Sequence, residues 1–181
     1  MADPDTIYNW RRLDDRITTS GQPTEPQLAD IHAVGVRHIV NLGLHNHEKA
    51  LPDEAASISR LGMTYFHIPV DFQNPTDQDF EQFCSIMERL KEVPVHVHCI
   101  ANYRLSAFLY RYRRDVLGME ETQARGDGIW DEAGVRRRQA VLLRWRSNRD
   151  RHRTLRPGAG WRTLCPATSG PAPPLLACPF A

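Results

Sequence analysis

The chain has 181 residues, 41% of them apolar and 25% charged, which suits one globular domain with a core of its own. No run of about 18 apolar residues occurs, which excludes a membrane-spanning helix. The net charge is +1, divided between −4 over residues 1–118 and +5 over residues 119–181, so a mildly acidic domain precedes a basic tail. Met1 to Asn9 is polar and acidic and lacks an apolar signal core, so the cytoplasm is the expected compartment. Cys84, Cys99, Cys165 and Cys178 show neither a pairing pattern nor Cys-x2-Cys spacing. Neither a disulfide framework nor a zinc site is indicated, and no cofactor is expected.

In chain order, residues 1–15 are polar, with Tyr8 and Trp10 as edge aromatics. Arg16 to Ser20 reads as a short strand, and Gly21-Gln22-Pro23 as a turn. Thr24 with Gln27 three places on is a capping box, and Pro26 suits a first helical turn. Leu28, Ile31 and Val34 have helical spacing, closed by Gly35. His38 to Leu42 is a second strand, followed by a loop from His45 to Pro52. Asp53 to Leu61 is a helix closed by Gly62. Tyr65 to Val70 is a third strand, and Pro69 places it at an edge or marks its end. After the loop Asp71 to Pro75, Thr76 caps a helix whose apolar positions are Phe80, Phe83, Met87 and Leu90. Val95 to His98 is the fourth strand. Strands and helices alternate, which predicts an α/β domain with a central, mostly parallel sheet of four to five strands flanked by helices. Ligands bind such sheets at the carboxyl ends of the strands. Cys99, the His45–His47 loop and the Asp71 loop all fall there.

The chemistry concentrates in Val95-His96-Val97-His98-Cys99-Ile100-Ala101-Asn102-Tyr103-Arg104. A buried strand delivers Cys99 to the threshold of a helix that begins near Arg104. Helix N-termini present unpaired N–H groups and positive potential, which bind anions and favour a thiolate. Arg104 supplies a planar, always charged fork for an oxyanion. A thiolate beside an oxyanion cradle suits attack on a phosphate ester. The alternative is a buried strand-end cysteine beside a solvated arginine.

This segment resembles the signature loop of cysteine-dependent phosphatases of the tyrosine and dual-specificity group. It is most similar to the small bacterial phosphatase-like family that also occurs fused to β-lactamase-like hydrolases. Ser20-Gly21-Gln22-Pro23-Thr24, Val40-Asn41-Leu42 and His67-Ile68-Pro69-Val70-Asp71 carry the likeness further, over residues 8 to 118. Three features depart from the usual loop. Four residues rather than five separate Cys99 from Arg104, no glycine lies between them, and Leu105 stands where a Ser or Thr is usual, with Ser106 one place later. Rhodanese-type sulfurtransferases also use a six-residue loop.

The resemblance implies a metal-independent phosphatase acting on a phosphorylated protein or a small phosphomonoester, and the shortened loop predicts low turnover. Cys99 would be the nucleophile and form a cysteinyl-phosphate. Arg104 and the backbone N–H groups of Ile100, Ala101, Asn102 and Tyr103 would bind the oxyanion. Asn102 could take the left-handed position that glycine usually fills. Asp71 is the expected general acid, with Asp77 as a competitor and Asp79 also nearby; both of these also suit a first helical turn. His98 would orient the loop, Ser106 would assist thiolate departure, His45 and His47 could line the rim, and Gln22 could touch the bound oxyanion or serve only as a turn residue. Two other readings stay open: a sulfurtransferase carrying a persulfide on Cys99, and a domain that binds phosphate with little turnover.

The domain is expected over residues 1–132, with a short helix from Glu120 to Trp130. Residues 133–181 hold ten arginines, six prolines and one acidic residue, Asp150. That composition predicts disorder, or the product of an out-of-frame reading. Val135 to Trp145 could form one basic amphipathic helix. Nucleic-acid binding is disfavoured because no aromatic stacking pattern accompanies the arginines.

Overall fold

The computed structural model describes residues 2–125, 136 and 139–145. Five strands form one sheet in the order β1-β2-β5-β3-β4. They are β1 (Arg11–Arg12), β2 (Ile17–Ser20), β3 (His38–Asn41), β4 (Thr64–His67) and β5 (Val95–His98). Only the β1–β2 pair is antiparallel. The expected α/β architecture with a mostly parallel sheet is present. The strand before Arg16 escaped the sequence reading because two exposed arginines carry no alternation. The strand that contains Pro69 in the sequence reading ends at His67 on the sheet edge, where a residue without an N–H costs no ladder bond.

Helices α1 (Glu25–Ala33), α2 (Glu54–Arg60), α3 (Asp77–Arg89) and α4 (Tyr103–Arg111) connect and follow the strands. The expected caps at Thr24 and Thr76 start two of them, and Asp53, read only as the first residue of its helix, caps a third. Gln27 Oε1 accepts from the Thr24 N–H at 2.9 Å, Asp53 Oδ1 from the Ala56 N–H at 3.0 Å, and Thr76 Oγ1 from the Asp79 N–H at 3.1 Å. A π-helical turn over Tyr112–Val116 extends α4, and α5 (Glu121–Arg125) follows. Trp130 lies outside the described residues.

The central strand β5 is buried along its whole length, as a strand of a parallel sheet covered on both faces should be. Its alternation divides the interior. Val95 and Val97 join Phe83 and Met87 of α3 and Leu105 and Phe108 of α4 in one core. Leu28 and Ile31 of α1 pack with Ile39 and Ile58 in a second core. His96 and His98 occupy the opposite side of β5 from the valines. Thr18 Oγ1 and Ser20 Oγ lie 2.9 and 3.0 Å from the ring nitrogens of His96. Trp10 stacks on the same ring at 5.1 Å between centroids.

Residues 139–145, inside the stretch expected to be tail, are helical, as the helix read over Val135 to Trp145 has it. Val141 and Trp145 are buried in the first core. Trp145 meets Phe108 and Phe80 at 4.6 and 5.3 Å between centroids. Apart from Arg136, which is helical and exposed, the remainder of the expected tail lies outside the described residues. Among the described residues no helix is long and apolar enough to cross a membrane.

Candidate active site

The chain leaves β5 at His98 and enters α4 at Tyr103 in four residues. So abrupt a reversal needs one left-handed residue. Asn102 provides it, with φ +65° at the N-cap of α4, in the role expected for a glycine substitute. Its side chain turns to the outer side of the loop and donates to Asn9 O at 2.9 Å and Thr19 Oγ1 at 3.0 Å. Asn9 Nδ2 returns a bond to Ala101 O at 3.1 Å. Gln22 N donates to Ile100 O at 3.2 Å, and Gly21 bridges Ala101. A Cβ on Gly21 would stand 2.7 Å from the Tyr8 ring and 3.0 Å from Ile100 O, so only glycine permits this approach. The loop between Cys99 and Arg104 is therefore held on its outer side by residues 9 and 21–22.

On its inner side the loop opens a cavity of about 240 Å³ lined by Phe72, Cys99, Ile100, Ala101, Tyr103 and Arg104. Cys99 is 2% and Arg104 8% exposed. Arg104 Nη1 donates to Leu42 O at 2.8 Å, which fixes the guanidinium. Its Nε is buried without a hydrogen-bond partner among the described residues. The guanidinium carbon lies 5.9 Å from the Phe72 ring centroid. Cys99, Ile100, Ala101, Tyr103 and Arg104, all expected at the site, thus meet around one space, together with an aromatic residue that the sequence reading passed over.

Asn102, Ser106, His98 and Asp71, also expected at the site, do not line this cavity. The Asn102 amide points away from it, leaving only its backbone for an anion. The Ser106 hydroxyl donates to Asn102 O at 2.8 Å, four residues back along the helix, and it borders a separate small cleft with Thr19 and Leu109. A serine one place beyond the usual position has rotated past the cavity, because each helical residue turns about 100°. His98 is fully buried, with Nε2 3.3 Å from Glu54 Oε1. Burial pushes its pKa down, against the pull of Glu54.

Of the acid candidates, Asp77 accepts from Arg111 Nη1 at 2.9 Å. Asp79 Oδ2 accepts from the Thr76 N–H at 2.8 Å, closing a capping box. Asp71 is exposed, with Oδ1 accepting from the Gln73 N–H at 2.8 Å, next to the cavity-lining Phe72. His45 is exposed and stacks on His67 at 3.8 Å between centroids, with its Nε2 2.9 Å from the Tyr65 hydroxyl. Among the described residues no cluster of His, Cys, Asp and Glu could hold a metal ion.

Glu54 was missed altogether. It is 3% exposed and accepts from Gln22 Nε2 and Asn41 Nδ2, each at 2.6 Å, and from the Tyr65 hydroxyl at 2.9 Å. In the sequence it is an ordinary acidic residue in a first helical turn, and nothing local separates it from a solvated one. The side chain of Gln22, read as an oxyanion contact or a turn residue, is a partner of this carboxyl group.

The family description "DSP-PTPase phosphatase fused to NAD+ Kinase" matches residues 9–128. A DUF442 phosphatase from Shewanella putrefaciens CN-32 is similar at 34% identity and a TM-score of 0.65, over 76% of this chain and 88% of its own. TpbA from P. aeruginosa, solved in complex with pTyr, shares the fold at 20% identity and a TM-score of 0.60, over 80% of this chain and 92% of its own. The Beta-lactamase hydrolase-like protein of Agrobacterium fabrum is 31% identical over 91 residues, which are 49% of this chain and 21% of that protein. The chain thus spans about a fifth of the length of that relative. The family match runs from before β1 to beyond α5, and the chain belongs to the family of DSP-PTPase phosphatases.

Proposed function

We propose that the domain hydrolyses phosphomonoesters, phosphotyrosine in a protein or a small aryl or alkyl phosphate, through a cysteinyl-phosphate on Cys99 and without a metal ion. The observation that carries this reading is the shared cavity of Cys99 and Arg104, at the point where β5 gives way to α4. The Cys99 thiolate attacks phosphorus in line with the departing oxygen. The S–P bond forms as the P–O bond breaks, and a proton from Asp71 goes to the leaving oxygen. Arg104 faces the equatorial oxygens with its unpaired Nε and the guanidinium edge not bound to Leu42. The N–H groups of Ile100 to Tyr103 complete the cradle. Water then cleaves the S–P bond, releasing phosphate and the thiolate. Phe72 and Tyr103 offer apolar walls to the leaving group.

The loop is one residue shorter than the usual one and has one N–H donor fewer. Loss of one such donor costs on the order of 10²–10³-fold in rate, so turnover should be low even in the unmodified protein. The sulfurtransferase reading keeps the loop length in its favour and is decided by the same experiment. Purified protein is assayed with p-nitrophenyl phosphate and, separately, with thiosulfate plus cyanide. Phosphate release that disappears in Cys99→Ser and falls sharply in Arg104→Lys is expected, because an ammonium cannot reproduce the planar two-point grip. Thiocyanate formation without phosphate release would replace this reading by the sulfurtransferase.

A further inference from the structure

The carboxyl group of Glu54 lies in the interior on the side of the sheet away from the Phe83–Phe108 core, and no step of the proposed reaction uses it. Burying a carboxylate is costly unless donors surround it. Here three neutral donors converge on its two oxygens, from Gln22, Asn41 and Tyr65, while His98 Nε2 stands 3.3 Å away. Three of these four neighbours belong to segments that also grip the anion loop. Gln22 N–H holds Ile100 O. Asn41 Oδ1 accepts from the Gly43 N–H at 2.5 Å, fixing the turn that presents Leu42 O to Arg104. Leu42 N–H in turn donates to His98 O at 2.8 Å, one residue before Cys99. A single carboxyl group therefore ties together the segments that follow β2 and β3 where they meet the loop, and the Leu42–His98 backbone bond carries the tie on to β5.

We propose that Glu54 is a positioning residue of this site, holding through Gln22 and Asn41 the backbone segments on either side of the loop that set the distance between Cys99 and Arg104. The proposal rests on the phosphatase reading above. Glu54 touches neither the cavity nor a reacting atom, so it acts through others. Its carboxylate only accepts, which matches three converging donors; the amide of glutamine would turn an NH2 against them. Geometry and charge make opposite demands here. If Glu54 acted by its charge alone, removing it would tighten the binding of an anion. If it acts by position, removing it loosens the cradle, and a misplacement of about 1 Å can cost on the order of 10²-fold.

The test uses the full chain. Iodoacetate alkylation of Cys99 is followed by peptide mass mapping at rising inorganic phosphate, and p-nitrophenyl phosphate turnover is measured in parallel. In the unmodified protein phosphate should protect Cys99. In Glu54→Gln, half-protection should need at least about ten times more phosphate and kcat should fall by about 10- to 100-fold, with cooperative thermal unfolding retained. A folded variant with unchanged protection and kcat, or with tighter protection, overturns the proposal, even if its melting temperature has dropped. If Glu54→Gln does not fold, Gln22→Leu, which cuts one arm at a half-buried position, should show the same loss in smaller measure. Unchanged protection there overturns the proposal equally. Absence of phosphate protection in the unmodified protein would instead strike the phosphatase reading itself, so the two failures are distinct.

Discussion

In the proposed mechanism Asp71 bears the part most sensitive to the substrate. If it protonates the departing oxygen, Asp71→Asn should slow hydrolysis of phenyl phosphate by about 10²–10⁴-fold. p-Nitrophenyl phosphate, whose leaving group hardly needs a proton, should be slowed far less. Equal slowing of both would assign the acid elsewhere. Asp77 and Asp79 are poorer candidates because Arg111 and Thr76 already engage their carboxyl groups. A second residue-scale effect concerns His96. Ser20 Oγ donates to Gly21 O at 2.6 Å, so it accepts from His96 Nε2–H and leaves Nδ1 to accept from Thr18. The ring is neutral, and burial holds its pKa well below the usual 6.5, with His98 adding to the effect. The unfolded chain takes up a proton below 6.5 where the folded one does not, so stability is full above 6.5 and falls as the pH drops below it. Urea melts at pH 7.5 and 5.5 should show this fall, and His96→Asn should flatten it. An identical slope in the variant would assign the proton uptake to other groups.

At the scale of elements, the helical stretch 139–145 joins the basic tail to the site. Arg111 is sandwiched between Phe80 and Trp145, 4.0 and 4.2 Å from their ring centroids, while it pairs with Asp77. Arg144 Nη1 donates to Phe72 O at 3.3 Å, and its guanidinium lies over the Phe72 ring at 5.1 Å. This stretch therefore packs against the segment that carries Asp71 and one wall of the cavity, although the family match ends at residue 128. A chain cut after residue 132 should melt at a lower temperature than the full chain, contrary to what the composition of the tail suggests. Trp145→Ala should cost about 3–5 kcal/mol, the usual range for emptying a buried aromatic site. Denaturant unfolding of both variants measures this, and an unchanged midpoint in both would detach the stretch from the core.

For the molecule as a whole, the arrangement of the sheet would couple phosphate binding at the proposed site to global stability. Cys99 and Arg104 follow the central strand β5, and the contacts that shape their loop come from the ends of β2 and β3 on either side. A ligand that binds only when all three strands are paired stabilises the folded state by about 2.7 kcal/mol at a hundred times its dissociation constant. Inorganic phosphate or vanadate should therefore raise the melting temperature of the unmodified protein. Arg104→Lys should show a much smaller rise. An equal rise in both would place the bound anion somewhere other than this loop.

Sequence alone determined those features whose cause is local. The change from strand to helix at Cys99, the caps at Thr24 and Thr76, and the left-handed Asn102 all follow from a few adjacent residues. Their periodicity and backbone preferences do not depend on what packs against them. The alternation of strands and helices also made the mostly parallel sheet legible. Tertiary structure decided what no short window contains. Strand order brought Gln22, Asn41, Tyr65 and His98 around Glu54, four partners from four separate segments, so an unremarkable acidic residue became a buried hub. The turn of α4 decided that Ser106 faces Asn102 rather than the cavity. Closure of the Phe80–Phe108 surface decided that Trp145, set among arginines and read as tail, belongs to the core. Burial arises only when distant segments meet, and the sequence around each of these residues says nothing about that meeting.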